Sequence, residues 1–155
     1  MTNKKLGRQS AMLTEPPVLA AWASVVGKKE GEGPLAGFFD HISQDDSFGQ
    51  ASWEKAESAM QRLALTTALD KAGLNPSALD WLLAGDLLNQ CIGSAFAARG
   101  REVSFLGLYG ACSTMAESLA LAAMLLDGGF GTLAAAVTSS HFCSAERQYR
   151  TPLEY

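Results

Sequence analysis

Three short apolar runs limit what this chain can fold into. Trp81-Leu82-Leu83-Ala84, Ser104 to Tyr109 and Thr132 to Ser139 are each too short for an ordinary helix, and two helix-like segments, Ser94 to Arg99 and Thr114 to Asp127, separate them. A short run that is apolar at successive positions reads as a strand buried on both faces. The order strand, helix, strand, helix, strand demands right-handed crossovers. The expectation is therefore an α/β fold whose mainly parallel sheet carries helices on both faces.

Residues upstream of these runs divide the chain into 1–50, an N-terminal segment with a glycine-rich surface loop, and 51–155, which holds the α/β unit. Gly27 to Gly49 is dense in glycine and charge and reads as a loop with a short turn at Leu35 to Asp40. From Trp53 the spacing predicts a helix with Trp53, Ala56, Met60, Leu63 and Thr67 on one face and Glu54, Lys55, Glu57 and Arg62 on the other. Gly73 ends it, and Asn75-Pro76 caps a further single turn. The segment Thr114 to Asp127 is almost uniformly apolar, which predicts a helix packed on all sides and stopped at Gly128-Gly129.

Composition removes several classes of function. A net charge of -4 and a pI near 5.1 are unsuited to a nucleic-acid partner, which needs a basic face. No apolar run reaches the roughly 18 residues of a membrane span. Lys4, Lys5 and Arg8 precede the apolar stretch around Trp22, but Glu15, Pro16 and Pro17 break it where a signal peptide is continuous. The cysteines Cys91, Cys112 and Cys143 show no CxxC or CxxH spacing, so no zinc site is expected, and reduced intracellular thiols are the default.

Ligands of open parallel sheets gather beyond the carboxyl ends of the strands. There the first run is followed by Asp86 and Asn89-Gln90, the second by Cys112-Ser113, and the third by Ser139, Ser140 and His141. Cys112 stands at a strand-to-helix turn, where a nucleophile or a ligand-facing thiol is placed and the dipole of the following helix favours a thiolate. Each residue also has a plainer role: Cys112 as a small buried hydrophobe, Asp86 as a helix cap, His141 as a structural histidine, and the serines as turn formers. Convergence on one rim favours a shared site.

The blocks Gly31 to Leu35 with Phe39-Asp40, Trp53 to Glu57, Leu82 to Gln90, Gly107 to Thr114, and Ser139 to His141 with Ala145 to Arg150 resemble the stage V sporulation protein AD family over nearly the whole chain. Ala84 to Gln90 and Gly107 to Thr114 are specific to that family, which is in turn similar to the thiolase and ketoacyl-synthase superfamily of two βαβαβ halves. Members are about twice this length. The resemblance thus implies a first thiolase-like half, with the second half absent from this chain. It implies non-catalytic binding of dipicolinic acid during uptake into the developing spore, with Asp86, Asn89, Cys112, Ser113, Ser140 and His141 as ligand-binding residues. No cofactor is implied, unless calcium accompanies dipicolinate.

The implied partners are membrane proteins of the same spore uptake machinery and a second copy of the chain, paired through Thr132 to Ser139. The implied place is the cytoplasmic face or inner-membrane periphery of the forespore. An acyltransferase with Cys112 as nucleophile is the alternative, incomplete because its activating histidine and asparagine belong to the second half. A fragment of a longer protein is a third possibility, with a sheet edge and the flank of the Thr114 to Asp127 helix exposed. A flat dianion suits N–H groups at a helix N-terminus and hydroxyls. Asp86 would repel it unless a cation bridges the two or the carboxylate faces backbone donors, and Asp86→Ala is expected to weaken binding without unfolding the protein.

Overall fold

The computed structural model describes residues 4–145. Four short strands lie within residues 1–50, the last of them inside the expected loop: β1 (Lys5–Leu6) and β2 (Ser10–Ala11) form an antiparallel hairpin, and β3 (Val25–Val26) runs parallel to β4 (His41–Ile42). Between β3 and β4 is the single turn α1 (Lys28–Gly31). The chain on either side of the hairpin is tied to Asp127, which accepts the Thr14 and Glu15 N–H groups at 2.8 and 2.7 Å and pairs with Lys4. The Glu15 N–H and Lys4 hold that carboxyl below its ordinary range.

Helix α2 (Trp53–Ala72) begins where the Ser52 hydroxyl accepts the Lys55 N–H and ends at Gly73, whose φ of 66° is the left-handed conformation that glycine adopts without strain. The strands β5 (Trp81–Gly85), β6 (Ser104–Gly107) and β7 (Ala134–Thr138) make one parallel sheet in the order β6-β5-β7, with α3 (Ile92–Ala98) and α4 (Thr114–Asp127) in the crossovers. The expected α/β architecture is therefore present, and α3 starts two residues earlier than its sequence pattern indicates.

Alternation along β5 assigns the layers. Leu82 and Ala84 join Leu65 and Leu69 of α2 and Ala98 of α3 in the core, so α2 and α3 cover one face. Leu83 and Gly85 point the other way, toward α4, which packs on β5 and β7. At Gly85 the approach is so close that a Cβ would stand 2.3 Å from the Leu108 carbonyl oxygen and 2.4 Å from the Thr114 methyl. A cavity of about 270 Å³ separates the Ser24-Val25 end of β3 from Thr138 to Ser140, with Glu57 and Gln61 of α2 also lining it.

Two helix faces differ from expectation. The buried face of α2 is Ala56, Glu57, Ser58, Gln61, Leu65 and Leu69, whereas Trp53 is exposed and Met60, Leu63 and Thr67 are half-buried. Glu57 lies inside because serine hydroxyls satisfy its carboxylate there, which periodicity of apolar residues cannot register. Nor is α4 packed on all sides. It buries Thr114, Ser118 and Ala122 against the sheet and exposes Met115, Leu119 and Met124. A sheet covers one side of a helix, and nothing among the described residues covers the other. None of the described helices is long and apolar enough to cross a membrane.

Candidate functional site

The carboxyl ends of the three parallel strands open onto one rim. The turn after β5 contains two consecutive non-glycine residues in left-handed backbone, Gln90 at φ 59° and Cys91 at φ 51°, and the turn after β6 contains a third, Ala111 at φ 49°. Such conformations cost of order 1–3 kcal/mol where surrounding contacts impose them. Here the two turns brace each other: the Cys91 thiol donates to the Leu108 carbonyl at 3.1 Å, and the Leu108 N–H donates to Ala84 at 2.9 Å.

Asp86 is 1% exposed, and the fold itself takes up its oxygens. One accepts the Leu88 N–H at 2.9 Å; the other accepts the Ser94 N–H at 2.7 Å and the Ser94 hydroxyl. It therefore faces backbone donors, as one of the sequence expectations allowed, and stitches the β5 turn to the first turn of α3. Asn89 is exposed on that turn.

Cys112 is exposed in the 3-10 turn Ala111–Ser113 that leads into α4. The Ser113 hydroxyl donates to the Gly110 carbonyl at 2.7 Å, and no side chain caps the first N–H groups of α4. Below this turn one Glu117 carboxyl oxygen is buried without a hydrogen-bond partner among the described residues. Cys91 differs from Cys112 in being buried, and burial, with the nearby Asp86 charge, pushes its thiol above the ordinary value. Brief exposure to iodoacetamide is expected to label Cys112 at least ~10-fold faster than Cys91, read by peptide mass spectrometry. Equal rates would mean that the 86–91 turn opens.

After β7 the chain enters a loop in which Ser140 is exposed and both ring nitrogens of His141 are engaged. Its Nδ1 accepts the Cys143 N–H at 3.1 Å, which leaves Nε2 as the protonated nitrogen, donating to the Asp46 carbonyl at 2.8 Å. The ring stacks on Trp53, centroids 5.7 Å apart. Among the described residues no hydrogen bond joins Cys112 to Asp86 or His141. The strand ends bring the three turns to one rim without wiring the three side chains together.

A polar network absent from the sequence expectations runs behind the rim. Glu57, 1% exposed, accepts the hydroxyls of Ser139 and Ser144; Gln61, 3% exposed, donates through Nε2 to Ser139 at 2.7 Å and Ser94 at 2.9 Å. Since both serine hydroxyls are donated to carboxylates, only a donor fits against them, and Gln61 must present its amide nitrogen. Its Oε1 is then buried without a partner among the described residues. Burial pushes the Glu57 carboxyl up from its ordinary value against the pull of the two hydroxyls, and Asp86 adds to the rise. The signal in the sequence is spacing: Glu57, Gln61, Leu65 and Leu69 form one i, i+4 stripe whose polar end is as buried as its apolar end.

Residues 7–155 match the family described as Stage V sporulation protein AD (SpoVAD). The stage V sporulation protein AD of Bacillus subtilis (strain 168) is 42% identical over 152 residues, covering 98% of this chain and 45% of that protein. The chain thus spans less than half the length of that curated relative. Among solved structures, the priming β-ketosynthase from the R1128 polyketide biosynthetic pathway superposes on 59% of this chain and 29% of its own, with a TM-score of 0.49 and 22% identity. For 3-oxoacyl-[acyl-carrier-protein] synthase III from Aquifex aeolicus VF5 the coverage is 56% and 30%, the TM-score 0.44 and the identity 20%. Of the blocks that carry the resemblance, Glu146 to Arg150 lie outside the described residues.

Proposed function

The chain belongs to the stage V sporulation protein AD family, and from that membership we propose that it binds dipicolinic acid for uptake into the developing spore without transforming it. One observation supports binding over catalysis. Cys112 is exposed at the start of α4, while the acid and the imidazole of the same rim are committed elsewhere, Asp86 to Ser94 and Leu88, His141 to Asp46 and Cys143. Among the described residues neither is hydrogen-bonded to Cys112 as a general base, a role typically worth about 10²–10⁴ in rate.

The same rim suits a flat dianion. N–H groups of the first turn of α4 beyond Thr114, whose own N–H is taken by the Ala111 carbonyl, can take one carboxylate, helped by the positive end of the helix; the Ser113 hydroxyl can donate in exchange for the Gly110 carbonyl, and Ser140 borders the same rim. His141 can donate through Nε2 in exchange for the Asp46 carbonyl, and Asn89 borders the rim from the β5 turn. A protein-held calcium does not fit: Asp86 and Glu57 both direct their oxygens at internal donors, and no cluster of metal-ligating side chains occurs among the described residues. Calcium in this reading arrives as a counter-ion of dipicolinate. The protein would act beside membrane proteins of the uptake machinery at the forespore membrane periphery, as a homodimer.

Calorimetric titration of the folded chain with dipicolinate, with and without calcium, tests the proposal. Saturable heat is expected, with affinity lowered about 10-fold, or 1.4 kcal/mol, by Cys112→Ala and by His141→Ala. No heat from a protein that circular dichroism shows to be folded would sink it. A stable mass increment on Cys112 after exposure to acyl-CoA thioesters would favour acyl transfer instead.

A further inference from the structure

Helix α2 presents Trp53, Glu57 and Gln61 at successive i, i+4 positions, and each touches the rim, Glu57 and Gln61 meeting at Ser139. The Trp53 ring stacks on His141; the Glu57 carboxylate receives the Ser139 and Ser144 hydroxyls; the Gln61 amide reaches both Ser139 and Ser94. Ser139 is where the chain leaves β7, and Ser144 is where the loop closes, with its N–H on the His141 carbonyl at 3.2 Å. A single carboxylate therefore clamps both ends of the segment that carries Ser140 and His141.

We infer that Glu57 is the positioning residue of the rim, fixing Ser140 and His141 in place for the ligand by bridging Ser139 and Ser144, with Gln61 coupling that loop to the Asp86–Ser94 turn. The inference rests on the dipicolinate reading for the identity of its ligand. Its geometry does not. Without the clamp the loop keeps its local backbone turn, but that turn only fixes Ser144 relative to His141, and the stacking of Trp53 on the ring is what still joins them to α2. A carboxylate that accepts two hydroxyls is also held at a defined angle, which an apolar contact between α2 and the loop would not supply. A purely structural Glu57 would lower overall stability when removed and leave the His141 ring in its present tautomer.

The test uses the imidazole itself. The sequence has two histidines, His41 and His141, so ring ¹⁵N resonances of histidine-labelled chain are assigned with one His141→Gln control. With the ring neutral, the unaltered chain is expected to show His141 as the Nε2–H tautomer. In Glu57→Ala the signature should move toward the mixture of a free imidazole, and dipicolinate affinity should fall at least ~10-fold. Glu57→Gln, which can accept one hydroxyl and donate to the other, should restore both. If Glu57→Ala does not fold, Ser144→Ala removes one arm of the clamp and should shift the ring signal in the same direction. An unchanged His141 signature in the folded alanine variant overturns the inference. If the unaltered chain binds no dipicolinate while Glu57→Ala still shifts the ring, the positioning role stands and the ligand assignment falls.

Discussion

Asp86→Ala is expected to destabilise the protein by about 3 kcal/mol or more, measured as a fall in the denaturant midpoint. The carboxylate is 1% exposed and is the acceptor for the Leu88 N–H, the Ser94 N–H and the Ser94 hydroxyl. Removing it leaves two buried backbone donors unpaired, each costing about 1–3 kcal/mol, while the hydroxyl can rotate to another partner. Set against a typical total of about 5–15 kcal/mol, the loss is large. Asp86→Asn keeps one acceptor oxygen and should cost roughly half as much. The sequence alone has Asp86→Ala weakening binding while sparing the fold; on this geometry, lost binding in that variant would report lost structure first. A change under about 1 kcal/mol would mean that the β5 turn can satisfy its donors another way.

Gly85→Ala should be comparably severe, at about 3 kcal/mol, because the new methyl cannot be accommodated by a rotamer change. It would meet the Leu108 carbonyl at 2.3 Å, and that backbone is pinned by the Leu108 N–H to Ala84 and by the Cys91 thiol. The Thr114 methyl, at 2.4 Å, sits on the first residue of α4. Relief requires β5 to part from the turn that carries Cys112. The variant should therefore combine a lowered denaturant midpoint with faster alkylation of Cys91, whose thiol then loses its carbonyl partner. Normal stability and a protected Cys91 would contradict the close packing of the two turns.

Much of the fold is legible in local pattern. The runs at 81–84, 104–109 and 132–139 are strands because uninterrupted apolar residues between turn signals have no other stable placement, and Gly73 and Asn75-Pro76 fall at the boundaries their backbone preferences dictate. The short strands β1 to β4 were not legible, since two-residue pairings leave no periodicity. The exposed face of α4 was not legible either: uniform apolarity says that a helix wants cover and is silent on which neighbour provides it.

The candidate site divides in the same way. That Asp86, Asn89, Cys112, Ser113, Ser140 and His141 lie on turns at the strand ends follows from sequence order and the geometry of parallel sheets. The network behind them does not, because Glu57 meets Ser139 and Ser144 across 82 and 87 residues, and Gln61 meets Ser139 across 78. Sequence by itself determined the order of elements from α2 onward, the crossovers of the three-stranded sheet and the family, each encoded in contiguous residues. Only the tertiary structure decided that Asp86 is a buried stitch, that His141 is anchored to α2, and that Glu57 is an inside residue. The physical reason is that hydrogen-bond partners set the worth of a buried polar group, and here they come from segments that only folding brings together.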